Sequence, residues 1–297
     1  MKTLSRIWQL KNCELSFSDG PAVMGIVNVT PDSFSDGGQH ATAESAIAHG
    51  VRLASQGAAI LDVGGESTRP YSDPVGLEEE LKRVIPVIEG LAGAVDVPIS
   101  IDTSKSAVAA AAIEAGAQII NDVTGLEGDP DMVAIAASTG AGVCAMHAQG
   151  SPQTMQDDPQ YENVTEEILD YLMQRQASLI AAGIPIEKIC LDPGIGFGKT
   201  HAHNLQLVRE VERFHQTGSP ILIGHSRKGF IKKLLGDKEL GDNQENAIDA
   251  ETLRISLLLA TKGIQVLRVH EVQNTVNALK GLQDVGEGSY REETDST

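Results

Sequence analysis

The chain has few aromatic residues, few basic residues and no long apolar run. Aromatic side chains make up 3% of the 297 residues, so a core drawn from the 41% hydrophobic content must be mainly aliphatic. No apolar stretch is long enough to cross a bilayer, and Met1–Leu10 has no apolar signal core. Lys and Arg number 23 against 41 Asp and Glu, a formal charge of −18. This charge argues against nucleic acid and anionic membranes as partners, and an anionic substrate would need a local basic cluster.

Cysteine is also scarce. The three cysteines, Cys13, Cys144 and Cys190, form no CxxC pair, and an odd number does not suit a disulfide framework. Cys144 and Cys190 lie in apolar runs, where small core residues are expected. The expected compartment is therefore the reducing cytoplasm.

The chain does contain a regular alternation of short apolar runs with helical patterns. Eight predicted strands alternate with eight predicted helices, which favours a closed (β/α)8 TIM barrel. One predicted helix starts at a capping residue, Thr42, and another spans 204–214. A doubly wound open sheet is the alternative, but GxGxxG is absent after the first strand. A weak alternation within 7–17 predicts a short hairpin before the barrel. We expect one domain over 1–285 and a disordered acidic tail over 286–297.

The first barrel strand leads into a polar loop. Val23–Val27 is an apolar run, Asn28 ends it, and the sequence TPDSFSDGG follows with Phe34 at its centre. A tight turn after a core strand would explain these residues as well as a site loop would. The later sequence DPGIGFGK does not have P-loop spacing, so its glycines more plausibly let the backbone approach a flat ligand.

Polar residues end most of the predicted strands. Each has an ordinary explanation alone, such as a helix cap for Asp102 or a core histidine for His147. In a TIM barrel, however, the carboxyl ends of the strands form the active site. Their convergence at one end therefore favours a site over a set of unrelated caps. The set is Asn28, Asp62, Asp102, Asn121, His147, Asp192, Lys228, Arg268 and His270.

Two kinds of chemistry are present in this set. The acceptors and amides suit a flat heterocycle with an N–C–N donor edge, which a carboxylate binds through two hydrogen bonds. The donors suit phosphate oxygens. Asn28 offers a hard oxygen, a plausible single protein ligand for a Mg²⁺ that also binds a diphosphate. The acceptor group is Asp102, Asn121 and Asp192, and the donor group is Lys228, Arg268 and His270.

Five sequence blocks together resemble one family. They are GIVNVTPDSFSDGG, DVGGESTRP, SIDTSK with IINDV, LDPGIGFGK, and SRK with RVHEV. With these blocks the chain resembles the dihydropteroate synthases from about Met24 to Val272. The resemblance implies a transferase of folate biosynthesis that forms a C–N bond. It would join 6-hydroxymethyl-7,8-dihydropterin diphosphate to 4-aminobenzoate, giving 7,8-dihydropteroate and diphosphate. It also implies Mg²⁺ as cofactor and a homodimer.

The resemblance assigns roles by position. The pterin residues would be Asp102, Asn121, Asp192 and Lys228, and the diphosphate residues would be Asn28, Arg268 and His270, with Asn28 as the metal ligand. Catalysis would fall to Asn28, Lys228, Arg268 and His270. The 4-aminobenzoate residues would be Phe34, Thr68, Arg69, Pro70, Phe197 and Ser226. Three positions depart from the expected pattern: Tyr71, His225 and Glu251.

Two other functions compete with this one. A methyltetrahydrofolate–corrinoid methyltransferase would share the Asp and Asn contacts, but it should not need Lys228 or the pair Arg268 and His270. A catalytically silent, pterin-binding paralogue should have lost some polar residues at the strand ends. All the residues assigned by position are present, which favours an active synthase.

Overall fold

Strands and helices alternate throughout the computed structural model, which describes residues 7–30, 39–67, 72–150, 154–236 and 243–286. The strands are β1 (Ile7–Gln9), β2 (Glu14–Ser16), β3 (Ala22–Asn28), β4 (Ile60–Gly64), β5 (Ile99–Asp102), β6 (Ile119–Asp122), β7 (Gly142–Met146), β8 (Ile189–Asp192), β9 (Leu222–Ile223) and β10 (Val266–Val269). The α-helices are α1 (Gln39–Ser55), α2 (Leu77–Ala92), α3 (Ser106–Ala115), α4 (Met132–Thr139), α5 (Val164–Ala181), α6 (His201–Arg209), α7 (Gly229–Leu235), α8 (Gln244–Thr261) and α9 (Val272–Gly286).

Within these described residues, eight parallel strands form one sheet. Their order is β8-β7-β6-β5-β4-β3-β10-β9, so the first barrel strand pairs with the last one along the chain. A parallel bridge between Leu191 and Ile221 joins β8 to β9 and closes the circle. The predicted TIM barrel is confirmed. Among the described helices, none is long and apolar enough to cross a membrane.

The inside of the barrel consists of an apolar layer beneath a polar one. The apolar layer contains Met24, Ile60, Ile119, Cys144, Cys190, Leu222 and Val266, all with no exposed surface. Successive side chains of a strand alternate between its two faces, so residues two positions later also point inward. On four strands those residues are polar: Asp62, Asn121, Asp192 and Arg268. The polar layer therefore rests directly on a dry aliphatic and thiol floor.

The predicted hairpin covers the amino-terminal end of the barrel. Strands β1 and β2 pair antiparallel, with Trp8 opposite Leu15. Trp8 is fully buried, and its Nε1 donates a hydrogen bond to the Lys188 carbonyl at 3.0 Å. The Lys188 Nζ donates to the carbonyls of Leu10 at 2.8 Å and Gly140 at 2.6 Å. The hairpin thus seals the apolar layer from water.

Two helix predictions were wrong in detail, and one helix was missed. Helix α1 begins at Gln39, so Thr42 lies inside the helix and is not its cap. The predicted helix over 204–214 is α6, capped by Thr200 and ending at Arg209, followed by a 3₁₀ helix over Val211–Thr217. Helix α7, missed from sequence, follows the β9 loop with seven residues, GFIKKLL. Too few positions are present in α7 for a 3.6-residue period to stand out.

Most of the predicted tail lies outside the described residues. Helix α9 continues to Gly286, which had been assigned to the tail, and 287–297 are not described. The division into a domain over 1–285 and a tail stays a prediction.

Candidate active site

A cavity of about 1120 Å³ opens at the carboxyl ends of the barrel strands. Seven of the predicted site residues line it: Asn28, Asp102, Phe197, Ser226, Lys228, Arg268 and His270. Asn121 and Asp192 are 5% exposed and lie behind this wall. Phe34, Thr68, Arg69 and Pro70 fall outside the described residues. The structure thus brings together nearly all the strand-end residues that it describes.

Arg268 connects the acidic side chains of the polar layer. Its Nε donates to Asp62 Oδ2 at 2.6 Å and its Nη2 donates to Asp102 Oδ2 at 2.8 Å. Asp62 Oδ2 also accepts a hydrogen bond from Asn121 Nδ2 at 3.2 Å. Burial, opposed by the Arg268 charge, raises the pKa of Asp102 to about 7. The guanidinium that sequence reasoning placed at a diphosphate therefore also holds the carboxylates together.

Asp62 was recognised at a strand end but was given no role. The side chain has no exposed surface, and its Oδ1 has no hydrogen-bond partner among the described residues. A buried carboxylate is costly unless it is paired, and here one oxygen makes both contacts. Asp62 therefore belongs to the site as the residue that positions Arg268 and Asn121.

Asp192 and Lys228 form the other charged part of the site. Asp192 Oδ1 accepts a hydrogen bond from the Gly194 amide at 2.7 Å, and burial raises the pKa of its carboxyl. Burial lowers the pKa of Lys228 to about 7, although Asp192 opposes this effect. The Lys228 Nζ donates to the Ile195 carbonyl and lies 4.2 Å from the centre of the Phe197 ring. Lys228 therefore interacts with both the Asp192 carboxylate and the Phe197 ring.

The loop after β9 carries Ser226, Arg227 and Lys228 into the cavity. Ser226 Oγ lies 2.9 Å from His270 Nδ1, which follows β10. Arg227 has a φ of 58°, unusual for a side-chain-bearing residue. Two hydrogen bonds to Asp249, at 2.7 and 2.8 Å, hold its guanidinium against α8. Sequence reasoning quoted SRK as a motif but gave Arg227 no role.

Two of the three departures from the family pattern have a visible structural position. His225 is fully buried, and its Nε2 lies 2.9 Å from Ser256 Oγ and 3.2 Å from the Thr252 carbonyl of α8. Burial lowers the pKa of His225 to about 4, so the ring is neutral near pH 7. Glu251 forms a surface ion pair with Arg254 at 3.2 Å. Tyr71 lies outside the described residues.

The residues around Asn28 are compatible with magnesium. Asn28 lines the cavity, and no group of three His, Cys, Asp or Glu side chains in the described part of the chain forms a complete protein metal site. Mg²⁺ commonly takes one or two protein ligands and fills its shell with waters and substrate phosphates. The same cavity is lined by Lys228, Arg268 and His270, which we call the cationic wall. A single amide oxygen in a cavity with side chains suited to phosphate groups fits that mode of binding.

Comparisons with known proteins give a consistent result. A family model described as pterin binding enzyme matches residues 24–270. The dihydropteroate synthase of Escherichia coli K12 is 45% identical over 263 residues, covering 89% of this chain and 91% of that protein. The Xanthomonas albilineans dihydropteroate synthase with 4-aminobenzoic acid matches with a TM-score of 0.87 and 44% identity, covering 95% and 98% of the two chains. Its complex with 7,8-dihydropteroate matches with a TM-score of 0.83 and 42% identity, covering 94% and 98%.

Proposed function

This chain belongs to the family of pterin binding enzymes and, within it, to the dihydropteroate synthases, and we propose the following roles for its residues. It is a transferase that forms a C–N bond, joining dihydropterin diphosphate to 4-aminobenzoate. The observation that best supports the proposed roles is that an acceptor of the buried polar layer, Asp102, lines the same cavity as Lys228, Arg268 and His270 and is bound to Arg268.

The acidic layer binds the pterin. Asp102, Asn121 and Asp192 present carboxylate and amide groups in a dry environment, where hydrogen bonds to a charged acceptor are strong. Lys228 supplies a donor at the border of that layer. With a pKa of about 7 its amine can hold or release a proton near neutral pH. Asp62 acts through its partners Asn121 and Arg268.

The cationic wall and Asn28 receive the diphosphate. Arg268 and His270 line the cavity together with Asn28, which would be the single protein ligand of Mg²⁺. When bound, Mg²⁺ would neutralise charge on the phosphate oxygens. As the C–O bond breaks, its electron pair leaves with the diphosphate, and the cations stabilise that developing charge. The electron-rich pterin carries the positive charge that remains, so no side-chain nucleophile is needed.

The Phe197 side of the cavity receives 4-aminobenzoate. Phe197 offers a flat apolar face, and Lys228 and Ser226 offer donors next to it. The arylamine nitrogen attacks the exocyclic methylene, forms the C–N bond and then passes a proton to an oxygen of the released diphosphate. The resemblance assigns Phe34, Thr68, Arg69 and Pro70 to the same substrate. Exclusion of water from the cavity protects the cation, which water would otherwise capture.

The competing functions are not favoured by these findings. The matching relatives and solved structures named above are dihydropteroate synthases, and none of those three is a methyltransferase. A silent paralogue would have no reason to keep Lys228, Arg268 and His270 around one cavity.

The homodimer and the cytoplasmic location are also proposals. The family resemblance supports the homodimer. The three cysteines are free, with Cys144 and Cys190 buried, which fits a reducing compartment.

The function is tested by measuring diphosphate release. We expect release only when dihydropterin diphosphate, 4-aminobenzoate and Mg²⁺ are all present, with dihydropteroate formed in equal amount. Lys228→Ala should lose nearly all of this activity. Arg254→Ala, a change at an exposed side chain that does not line the cavity, is the matched control and should retain it. Binding of the pterin without any turnover would instead support the silent paralogue.

A further inference from the structure

Lys199 is a buried lysine to which neither the sequence nor the proposed function gives a role. The side chain is 2% exposed, yet its Nζ makes three polar contacts. It lies 2.8 Å from the Phe197 carbonyl, 3.1 Å from His147 Nδ1 and 3.4 Å from the His147 carbonyl. Three acceptors match the three donors of an ammonium group. In the sequence, Lys199 is the last residue of DPGIGFGK, which does not have P-loop spacing.

The loop that Lys199 ends is held from several sides. Asn204 accepts a hydrogen bond from the Gly196 amide at 2.7 Å and donates to the Lys199 carbonyl at 3.3 Å. Tyr161 donates to the Gly198 carbonyl at 3.0 Å. Gly196 has a φ of 85°, and a Cβ there would lie 2.8 Å from the Lys228 side chain. The backbone of this loop therefore packs closely against the Lys228 side chain, and hydrogen bonds with the neighbouring residues hold it in that position.

Lys199 makes the one described side-chain hydrogen bond to the Phe197 carbonyl, the backbone acceptor nearest to the aromatic ring. On the cavity side, Lys228 contacts the Phe197 ring and the Ile195 carbonyl. The two lysines thus hold the same short segment at different points. Burial and the Lys228 charge both lower the pKa of Lys199, so keeping a lysine here is unfavourable compared with a methionine of similar length. What the amine supplies, and a methionine would not, is the set of hydrogen bonds to Phe197 and His147.

We propose that Lys199 is a positioning residue, which fixes the Phe197 backbone so that the Phe197 ring and Lys228 form the 4-aminobenzoate side of the cavity. This inference rests on the proposed function. Lys228 also serves the pterin side, but the other pterin residues are Asp102, Asn121 and Asp192, and no described side-chain hydrogen bond links Lys199 to any of these three. The link between Lys199 and Asp192 is electrostatic, because burial raises the pKa of the Asp192 carboxyl and the Lys199 charge opposes that rise. The two substrates should therefore respond differently to loss of the amine.

The test is Lys199→Met, which keeps the length of the side chain and removes its donors. We expect the KM for 4-aminobenzoate to rise about tenfold, the equivalent of one hydrogen bond, and the KM for dihydropterin diphosphate to rise less, by no more than about threefold. Lys199→Gln keeps one donor group and should lose less, and it carries the same comparison if Lys199→Met does not fold. Equal rises in both KM values, or lost stability with both KM values unchanged, would show a structural role only.

A double-mutant cycle asks whether Lys199 acts through Phe197. Phe197→Ala should itself raise the KM for 4-aminobenzoate, and adding Lys199→Met to it should cause little further change. Additive effects would overturn the proposed route. If the wild-type protein releases no diphosphate, the proposed function fails. The positioning role is then decided by a crystal structure of Lys199→Met, in which the contact between Lys228 and the Phe197 ring should be lost.

Discussion

Replacing Arg268 by alanine should damage the fold as well as the site. Among the described residues, the Arg268 guanidinium forms ion pairs with both Asp62, at 2.6 Å, and Asp102, at 2.8 Å. The side chain of Asp62 has no exposed surface and that of Asp102 is 11% exposed. Arg268→Ala would leave both carboxylates in the interior without their main counter-charge. Removing one partner of a buried ion pair typically costs about 3–5 kcal/mol, and we expect a loss of that size at pH 8.

The loss should shrink as the pH falls, because Asp102 can become neutral. Its pKa lies near 7 in the folded protein, above the usual 3.8, and removal of Arg268 raises it further. Between pH 3.8 and the folded pKa, the folded state binds more protons than the unfolded state. Lowering the pH within that window therefore stabilises the fold. From pH 8 to pH 6 the variant should recover about 1 kcal/mol more than the wild type, since one pKa unit corresponds to about 1.4 kcal/mol.

Urea unfolding at pH 8 and pH 6 measures both effects. Arg254→Ala is the control, because Arg254 is an exposed arginine paired with Glu251 and should contribute less than about 1 kcal/mol. The double variant Asp62→Asn/Arg268→Ala should recover part of the loss at pH 8. A deficit no larger than that of Arg254→Ala, or one that is equal at both pH values, would refute the reasoning. Weaker diphosphate binding by Arg268→Ala must therefore be interpreted together with its stability.

Two further predictions concern buried titratable groups. Asp192→Asn replaces one acceptor oxygen by a donor at the pterin edge and should weaken pterin binding by about 2–4 kcal/mol, measured by calorimetry; unchanged affinity would exclude Asp192 from the pterin site. The pKa of His225 is about 4 in the folded state, against 6.5 for an ordinary histidine. Between pH 4 and pH 6.5 the folded state therefore binds fewer protons than the unfolded state, so the protein loses stability as the pH is lowered. By pH 4.5 this should cost about 2–3 kcal/mol, and His225→Gln should show a smaller loss between pH 7 and pH 4.5 in urea unfolding; parallel curves would contradict it.

The barrel was predictable because each strand carries its own signal. Runs such as Gly142–Met146 are apolar, short and bounded by Gly or polar residues, and the structure has the strand over the same residues. Helix boundaries were less predictable. Thr42 is a good capping residue, but a cap contributes only about 1 kcal/mol, and the helix extends past it to Gln39. Helix α7 was missed because seven residues are too few to show a period.

The membership of the site was predictable, but its connections were not. Parallel strands place their carboxyl ends at one rim, so polar residues at strand ends converge whatever their separation in sequence. Which of them pair depends on the register between strands, and Arg268 reaches Asp62 across 206 positions of the chain. A local sequence pattern does not show that two residues so far apart in the chain form a hydrogen bond. Lys199 was overlooked for a related reason, because its partner His147 follows a different strand.

The acidic balance of the chain and its proposed anionic substrate are compatible for a physical reason. A net charge of −18 describes the sum over all residues, whereas a ligand in a buried cavity interacts mainly with its nearest groups. Solvent screens exposed charges beyond about 10 Å at 0.1 M salt, but charges that face each other across a dry layer are screened much less. In this cavity Lys228, Arg268 and His270 lie along one wall. Two of the nearby carboxylates, Asp62 and Asp102, are paired with Arg268, which offsets part of their repulsion of a diphosphate and leaves Lys228 and His270 as the other basic side chains of that wall. The local arrangement, and not the total charge, therefore decides whether an anion can bind.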